Sequence, residues 1–147
     1  MASRSSGSER DRVRYLLALD AAGVMRRLAE RREEMVEVFS RLRDREALIT
    51  PLRSTFDTMQ FSELVRLTLR EQRAVHAFHE ALDDLRWYLR YTVDMPGTLE
   101  QRFAHYLREL EHAHQRLTAA LGKVTETEID ADFPMRAPPR RKKRARK

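Results

Sequence analysis

Apolar residues in the first third of the chain recur at alternating steps of four and three. The series is Leu17, Ala21, Val24, Leu28, Met35, Val38, Leu42 and Ile49, with Arg31 and Arg45 taking two of its positions. That spacing keeps one stripe of a helix facing one way and predicts a first helix of nearly forty residues, ending near Ile49. Tyr15, Leu16 and Leu19 widen the stripe near its start, as a helix with two neighbours requires. Thr50-Pro51 ends the run, because a proline disfavours helix in the residue before it and suits the first position of a new one. Asp57 and Ser62 both qualify as caps for that new start.

A second series, Phe61, Leu64, Glu71, Val75, Phe78, Leu82, Leu85 and Leu89, predicts a helix running to about Tyr91, and Met95-Pro96-Gly97 breaks it. Thr98-Leu99-Glu100-Gln101 reads as a capping box, in which a hydroxyl accepts from the third amide and the glutamine reaches back. The third series follows: Phe103, Leu107, Leu110, His114, Leu117 and Leu121, with Gly122 placed where a left-handed residue ends a helix. The fold class is therefore all-α, an antiparallel three-helix bundle with a long first helical hairpin. Residues 1–9 are expected to form a disordered arm, 10–124 the bundle, and 125–147 a disordered tail that is basic from 136.

The predicted helices are unequal. If the hairpins fold about Pro51 and Met95-Pro96, residues 32–70 project past the third helix as a two-helix arm. Arg31 and Glu71 then lie at matching heights and can pair within the apolar stripe. The arm carries Met35, Val38, Phe39, Leu42, Phe56, Met59, Phe61 and Leu64, more than two helices can hide, and an uncovered patch of that size marks a protein interface. A homodimer that completes four helices is the expected solution. The alternative is that residues 50–61 fold back as a short helix and cover the arm.

Charge changes the picture at one end only. The chain of 147 residues has 29 Lys+Arg, 23 Asp+Glu and net charge +6. Eight of the cations are Arg136, Arg140, Arg141, Lys142, Lys143, Arg144, Arg146 and Lys147, in a stretch with no acid. Setting them aside leaves 21 basic residues against 23 acidic ones, a body of charge −2. The pI of about 10.1 thus describes a tail. Each of these side chains placed on a phosphate releases counterions, so the segment is a candidate for salt-sensitive, sequence-independent binding of DNA or RNA. No aromatic interleaves it to stack on bases. A nuclear-import signal would look similar in a eukaryotic source, and an idle tail on a protein–protein scaffold is the bland alternative.

Catalytic chemistry finds little support. Cys is absent, which removes thiol nucleophiles and thiolate metal sites, and the four glycines form no phosphate loop. Glu71, Glu109 and His112 are candidates for a bundle metal site, but only one E-x-x-H is present and His112 falls off the stripe. His76, His79 and Asp83 flank the second stripe and read as solvated. His114 sits on the third stripe and reads as a buried neutral histidine. The cluster Arg86-Trp87-Tyr88-Leu89-Arg90-Tyr91 is a partner-docking candidate by composition; its bland reading packs Trp87 and Tyr91 against Tyr15, Leu16 and Leu19. No motif calls for a cofactor. The longest apolar run, Tyr15 to Met25, is broken by Asp20 and is too short for a membrane. The expectation is a non-enzymatic, cytoplasmic, self-associating helical adaptor with an unidentified protein partner, nucleic acid on its tail and no membrane contact.

Overall fold

The computed structural model describes residues 3–39, 41, 45–93, 96–125 and 127–129. These are mostly helical, with no strand among the described residues. There are three long helices, α1 (Ser3–Phe39), α4 (Leu69–Tyr91) and α5 (Pro96–Leu121), and between α1 and α4 runs a crossover that holds two short helices, α2 (Glu46–Ile49) and α3 (Phe61–Leu64), and two 3-10 turns at Thr50–Leu52 and Thr55–Thr58.

The predicted stripes of α4 and α5 are the observed core. Val75, Phe78, Leu82, Leu85 and Leu89 face Phe103, Leu107, Leu110, Leu117 and Leu121, and all are buried. The two helices are antiparallel: Phe78 meets His114, with ring centroids 5.8 Å apart, and Tyr88 stacks on Tyr106 at 4.8 Å. Gly122 ends α5 as expected, at φ +104, a left-handed conformation that glycine reaches without a Cβ clash. The start of α5 differs from expectation. Pro96 opens the helix, so Thr98 lies inside its first turn; a proline has no amide to leave unpaired there.

The larger difference is direction. Arg14 of α1 donates to the Ala120 carbonyl at 3.4 Å, which sets the start of α1 beside the end of α5. Arg10 and Arg14 also reach Glu71 at the start of α4, while Phe39 at the other end of α1 stacks on Tyr88 at 5.9 Å. Thus α1 and α4 run the same way and α5 runs against both. No long first hairpin exists among the described residues. The crossover returns the chain along the bundle, and α4 starts at Leu69, not near Phe61.

Burial explains the departure. A helix continued to Ile49 would carry Leu48, Ile49 and Leu52 beyond the other helices into water. Folded back, all three are buried, worth on the order of 1.5–3 kcal/mol each. Arg45 then lies over the Phe39 ring, 4.0 Å from its centroid, and closes the corner. The projecting arm is absent for the same reason. Met35 and Phe39 are core, and Val38, Phe56, Met59 and Leu64 pack against it. Of the eight residues expected at an interface only Phe61 is largely exposed, at 80%; Leu42 lies outside the described residues. Residues 50–61 thus fold back as the alternative had it, but as two 3-10 turns and not as a short helix, and the case for a dimer from an uncovered arm loses its premise.

Described residues near each end extend the helical structure. Residues 3–9, expected as a disordered arm, continue α1. After Gly122, Thr125 and Glu128 form a capping pair: the Glu128 carboxylate accepts from the Thr125 amide and hydroxyl, each at 2.8 Å. Residues 127–129 make a helical turn, and Val124 packs on the core. The remainder of the predicted tail lies outside the described residues.

Candidate functional site

The crossover is pinned by charged side chains of the helices it crosses, and Asp20 is the centre of this fastening. Asp20 is buried on α1, within the most apolar stretch of the sequence. Its carboxylate accepts from the Ser54 hydroxyl, from the Thr55 amide at 2.9 Å and from the Thr55 hydroxyl at 2.8 Å. Three donors are what a buried carboxylate needs to offset its lost hydration. Ser54 also caps the next turn: its oxygen accepts from Phe56 N at 3.1 Å, and its own amide donates to Asp57 at 3.3 Å.

Phe56 then lies flat on His79 of α4, with centroids 3.8 Å apart and planes within 8°. His79 is 4% exposed, and its Nδ1 is buried with no hydrogen-bond partner. Burial pushes its pKa down to about 4; Asp20, Asp57 and Asp83 pull the other way, and Arg86 adds to the depression. The ring is therefore neutral near pH 7. Ser54, His79 and Asp20 are the side-chain types of a hydroxyl nucleophile, but the Ser54 hydroxyl donates to Asp20 and His79 Nδ1 makes no hydrogen bond. The contacts of this group hold the crossover on α1 and α4.

Two arginines extend it. Arg86 donates to the Leu52 carbonyl through Nε at 3.1 Å and pairs with Asp57 at 2.9 Å and Asp83 at 2.8 Å. Burial alone would lower its pKa; those carboxylates more than reverse this and raise it. Arg27 donates to the Pro51 carbonyl at 2.9 Å, and burial lowers its pKa despite the nearby Asp20. At the far end, Gln72 donates to the Leu64 and Leu67 carbonyls at 2.9 and 3.1 Å.

Glu71 was expected either opposite Arg31 or in a metal site. It does neither. Its carboxylate accepts from the Thr68 amide at 2.7 Å, closing a capping box at the start of α4, and it pairs with Arg10 at 3.1 Å and Arg14 at 2.8 Å. Burial raises its pKa, but the Thr68 and Arg10 hydrogen bonds outweigh this and hold it below the usual carboxylate range. Arg31 cannot reach it because α1 runs parallel to α4. Glu109 and His112 are exposed on α5, level with about residue 84 of α4 and so roughly 20 Å along the axis from Glu71. Among the described residues no three His, Cys, Asp or Glu side chains are grouped as metal ligands.

His114 is half-buried beside Phe78, and burial lowers its pKa, as its place in the third stripe implies. It lines a cleft of about 610 Å³ with Ala18, Ala22, Thr118 and Ile129. A second cleft, about 480 Å³, lies between the crossover and α4 and is lined by Glu46, Arg53, Asp57, Asp83, Arg86 and Trp87. Trp87 and Tyr91 do not close the bundle against Tyr15, Leu16 and Leu19, because the parallel course of α1 puts those residues near the start of α4. They are 62% and 64% exposed, in contact with each other, while Tyr88 and Leu89 point inward as expected. The eight cations from Arg136 to Lys147 lie outside the described residues.

The features missed in the sequence are Asp20, His79 and Thr68. Thr68-Leu69-Arg70-Glu71 and Ser54-Thr55-Phe56-Asp57 both carry the hydroxyl-x-x-acid spacing of a capping box, and that spacing would have placed two boundaries correctly. Asp20 and His79 carry no local signature, since only the returning chain buries them. Among the described residues no helix is long and apolar enough to cross a membrane. No protein-family model matches this chain, and no curated protein or solved structure matches it at a significant level.

Proposed function

We propose that this protein is a non-enzymatic helical adaptor whose bundle serves as a body for a basic tail that tethers it to DNA or RNA without sequence choice. The observation that carries the reading is charge segregation. Eight Lys and Arg with no acid follow Met135, on a body of net charge −2. A polycation of that kind gains its affinity from counterions released by phosphates. Phe61, Val65 and Leu69 are exposed apolar side chains available to a protein partner or a second copy. Residence in the cytoplasm, on a nucleoid, or in a nucleus for a eukaryotic source fits the same reading.

The test is binding of a fluorescent duplex by the full chain and by a variant with the eight tail cations changed to Gln. The expected outcome is binding that weakens steeply with salt, with a log–log slope no steeper than about −7 for eight contacts. The variant is expected to lose nearly all of it. Equal binding by the two proteins, or none by either at low salt, overturns the tether.

A further inference from the structure

Residues 80, 84, 87 and 91 follow one another at steps of four, three and four, so they share the outward stripe of α4, and all four are exposed. The stripe reads Glu, Asp, Trp, Tyr. Asp83 stands beside it, and Glu46 and Asp57 of the crossover border the adjoining cleft. The basic groups there are Arg53, Arg86, Arg90 and His76, of which Arg86 is held by Asp57 and Asp83, Arg90 by Glu46 at 2.9 Å, and His76 Nε2 stands 3.5 Å from Glu80. Five carboxylates thus stand against three guanidiniums, around two exposed rings with centroids 5.8 Å apart. Such a face repels phosphate. It suits a cationic chain, because guanidinium and ammonium groups bind over aromatic faces and are steered by nearby carboxylates.

The chain contains a segment of matching chemistry. We propose that residues 136–147 dock on this face of their own molecule, with guanidiniums over Trp87 and Tyr91 and against Glu80, Asp83 and Asp84. Nucleic acid then has to displace the tail, and the contact sets a threshold on binding. This rests on the tail reading given above and adds its regulation. Charge complementarity is the main argument. Pro138-Pro139 favours an extended conformation, and extended proline-bearing segments pack on exposed aromatic rings. Reach is sufficient. Eighteen residues follow Ile129 and span up to about 60 Å when extended. Ile129 lies beside His114, level with Phe78, about 14 Å along the axis from Trp87, on a bundle roughly 25 Å across.

Trp87 is the sole tryptophan and therefore reports on this face directly. The experiment is acrylamide quenching of its fluorescence, at low salt and without nucleic acid, in the full chain and in the eight-Gln tail variant. The tail is expected to protect Trp87 about twofold, and the protection to vanish when salt shortens the screening length to a few Å. The surface variant Glu80→Gln/Asp84→Asn, both sites exposed, is expected to lose the protection and to bind a DNA duplex about fivefold more tightly. Equal quenching with and without tail charges overturns the docking. Protection that grows with protein concentration overturns the contact within one molecule. The two readings fail separately: unprotected Trp87 with tail-dependent duplex binding removes only the docking, and protected Trp87 with no duplex binding even by the Glu80→Gln/Asp84→Asn variant removes only the tether.

Discussion

The α4–α5 hairpin and the crossover between α1 and α4 are both well packed, but they are held by different forces. The hairpin is apolar and repetitive. Its residues meet at steps of three and four along two antiparallel helices, and the stabilisation is spread over many side chains of similar weight. The crossover has little regular structure of its own. It is located by a few polar groups on its neighbours: Asp20 on the Ser54-Thr55 turn, Arg86 and Arg27 on carbonyls near Pro51, Gln72 on carbonyls near Leu67. The hairpin gives bulk stability. The crossover converts a chain that would otherwise expose Leu48, Ile49 and Leu52 into one that covers its own stripe.

The two regions should therefore break differently. Phe78→Ala removes a fully buried ring from the hairpin, with an expected loss of about 3–5 kcal/mol. The loss should appear as one cooperative shift in denaturant midpoint, with hydrogen exchange accelerated across all three long helices. A local effect confined to α4 would contradict a shared core.

Asp20→Ala strips the carboxylate from three donors and leaves the buried Ser54 hydroxyl and the part-buried Thr55 amide without it; about 3 kcal/mol is the expected order. Here the signature should be local. Amides of residues 53–58 should lose protection in hydrogen exchange while Val75 to Leu89 keep theirs. Global melting with no selective loss in the crossover would remove the distinction between the two regions.

The smallest effect is a pH dependence. His79 titrates near 4 in the folded chain against an ordinary 6.5. Between those values the unfolded chain binds a proton that the folded chain refuses. Stability should thus rise with pH across this window and fall as pH drops from about 6.5 towards 4, by at most about 3 kcal/mol. His114, also lowered by burial, adds a share of the same sign. Glu71 acts lower, its contribution being lost only as pH falls through its depressed pKa. His79→Phe, which keeps the stacking on Phe56, should flatten most of the slope between 4 and 6.5 in urea titrations. An unchanged slope would show that the crossover leaves His79 hydrated.

Legibility followed the same division. The stripes of α4 and α5, the end at Gly122, and the inward Tyr88 and Leu89 are all visible as periodicity, because each depends on neighbours three and four residues away. The direction of α1 is not visible in this way. Its stripe continues in register through Ile49, and nothing local shows that the chain turns near Phe39. What decides the turn is the length of the other helices, which leaves Leu48 and Ile49 nothing to pack against if α1 goes on. From that missing turn came the false arm, the Arg31–Glu71 pairing and the interface placed on Met35 and Phe39. Asp20 was read as a break in an apolar run, and His79 as a surface residue, because their partners are 34 or 35 and 23 positions away and reach them only through the crossover. The Thr68 cap was legible and was masked by the in-phase position of Glu71 in the second stripe.

The return of the crossover is tested most directly by a distance. The chain has no cysteine, so spin labels can be placed at Leu16→Cys and Thr58→Cys, both on the rim of the cleft between α1 and the crossover. A chain folded back on Asp20 gives a single short separation, within roughly 20 Å including label length. A first hairpin extended about Pro51 would hold the same labels about 40 Å apart, and a distribution centred there would contradict the account.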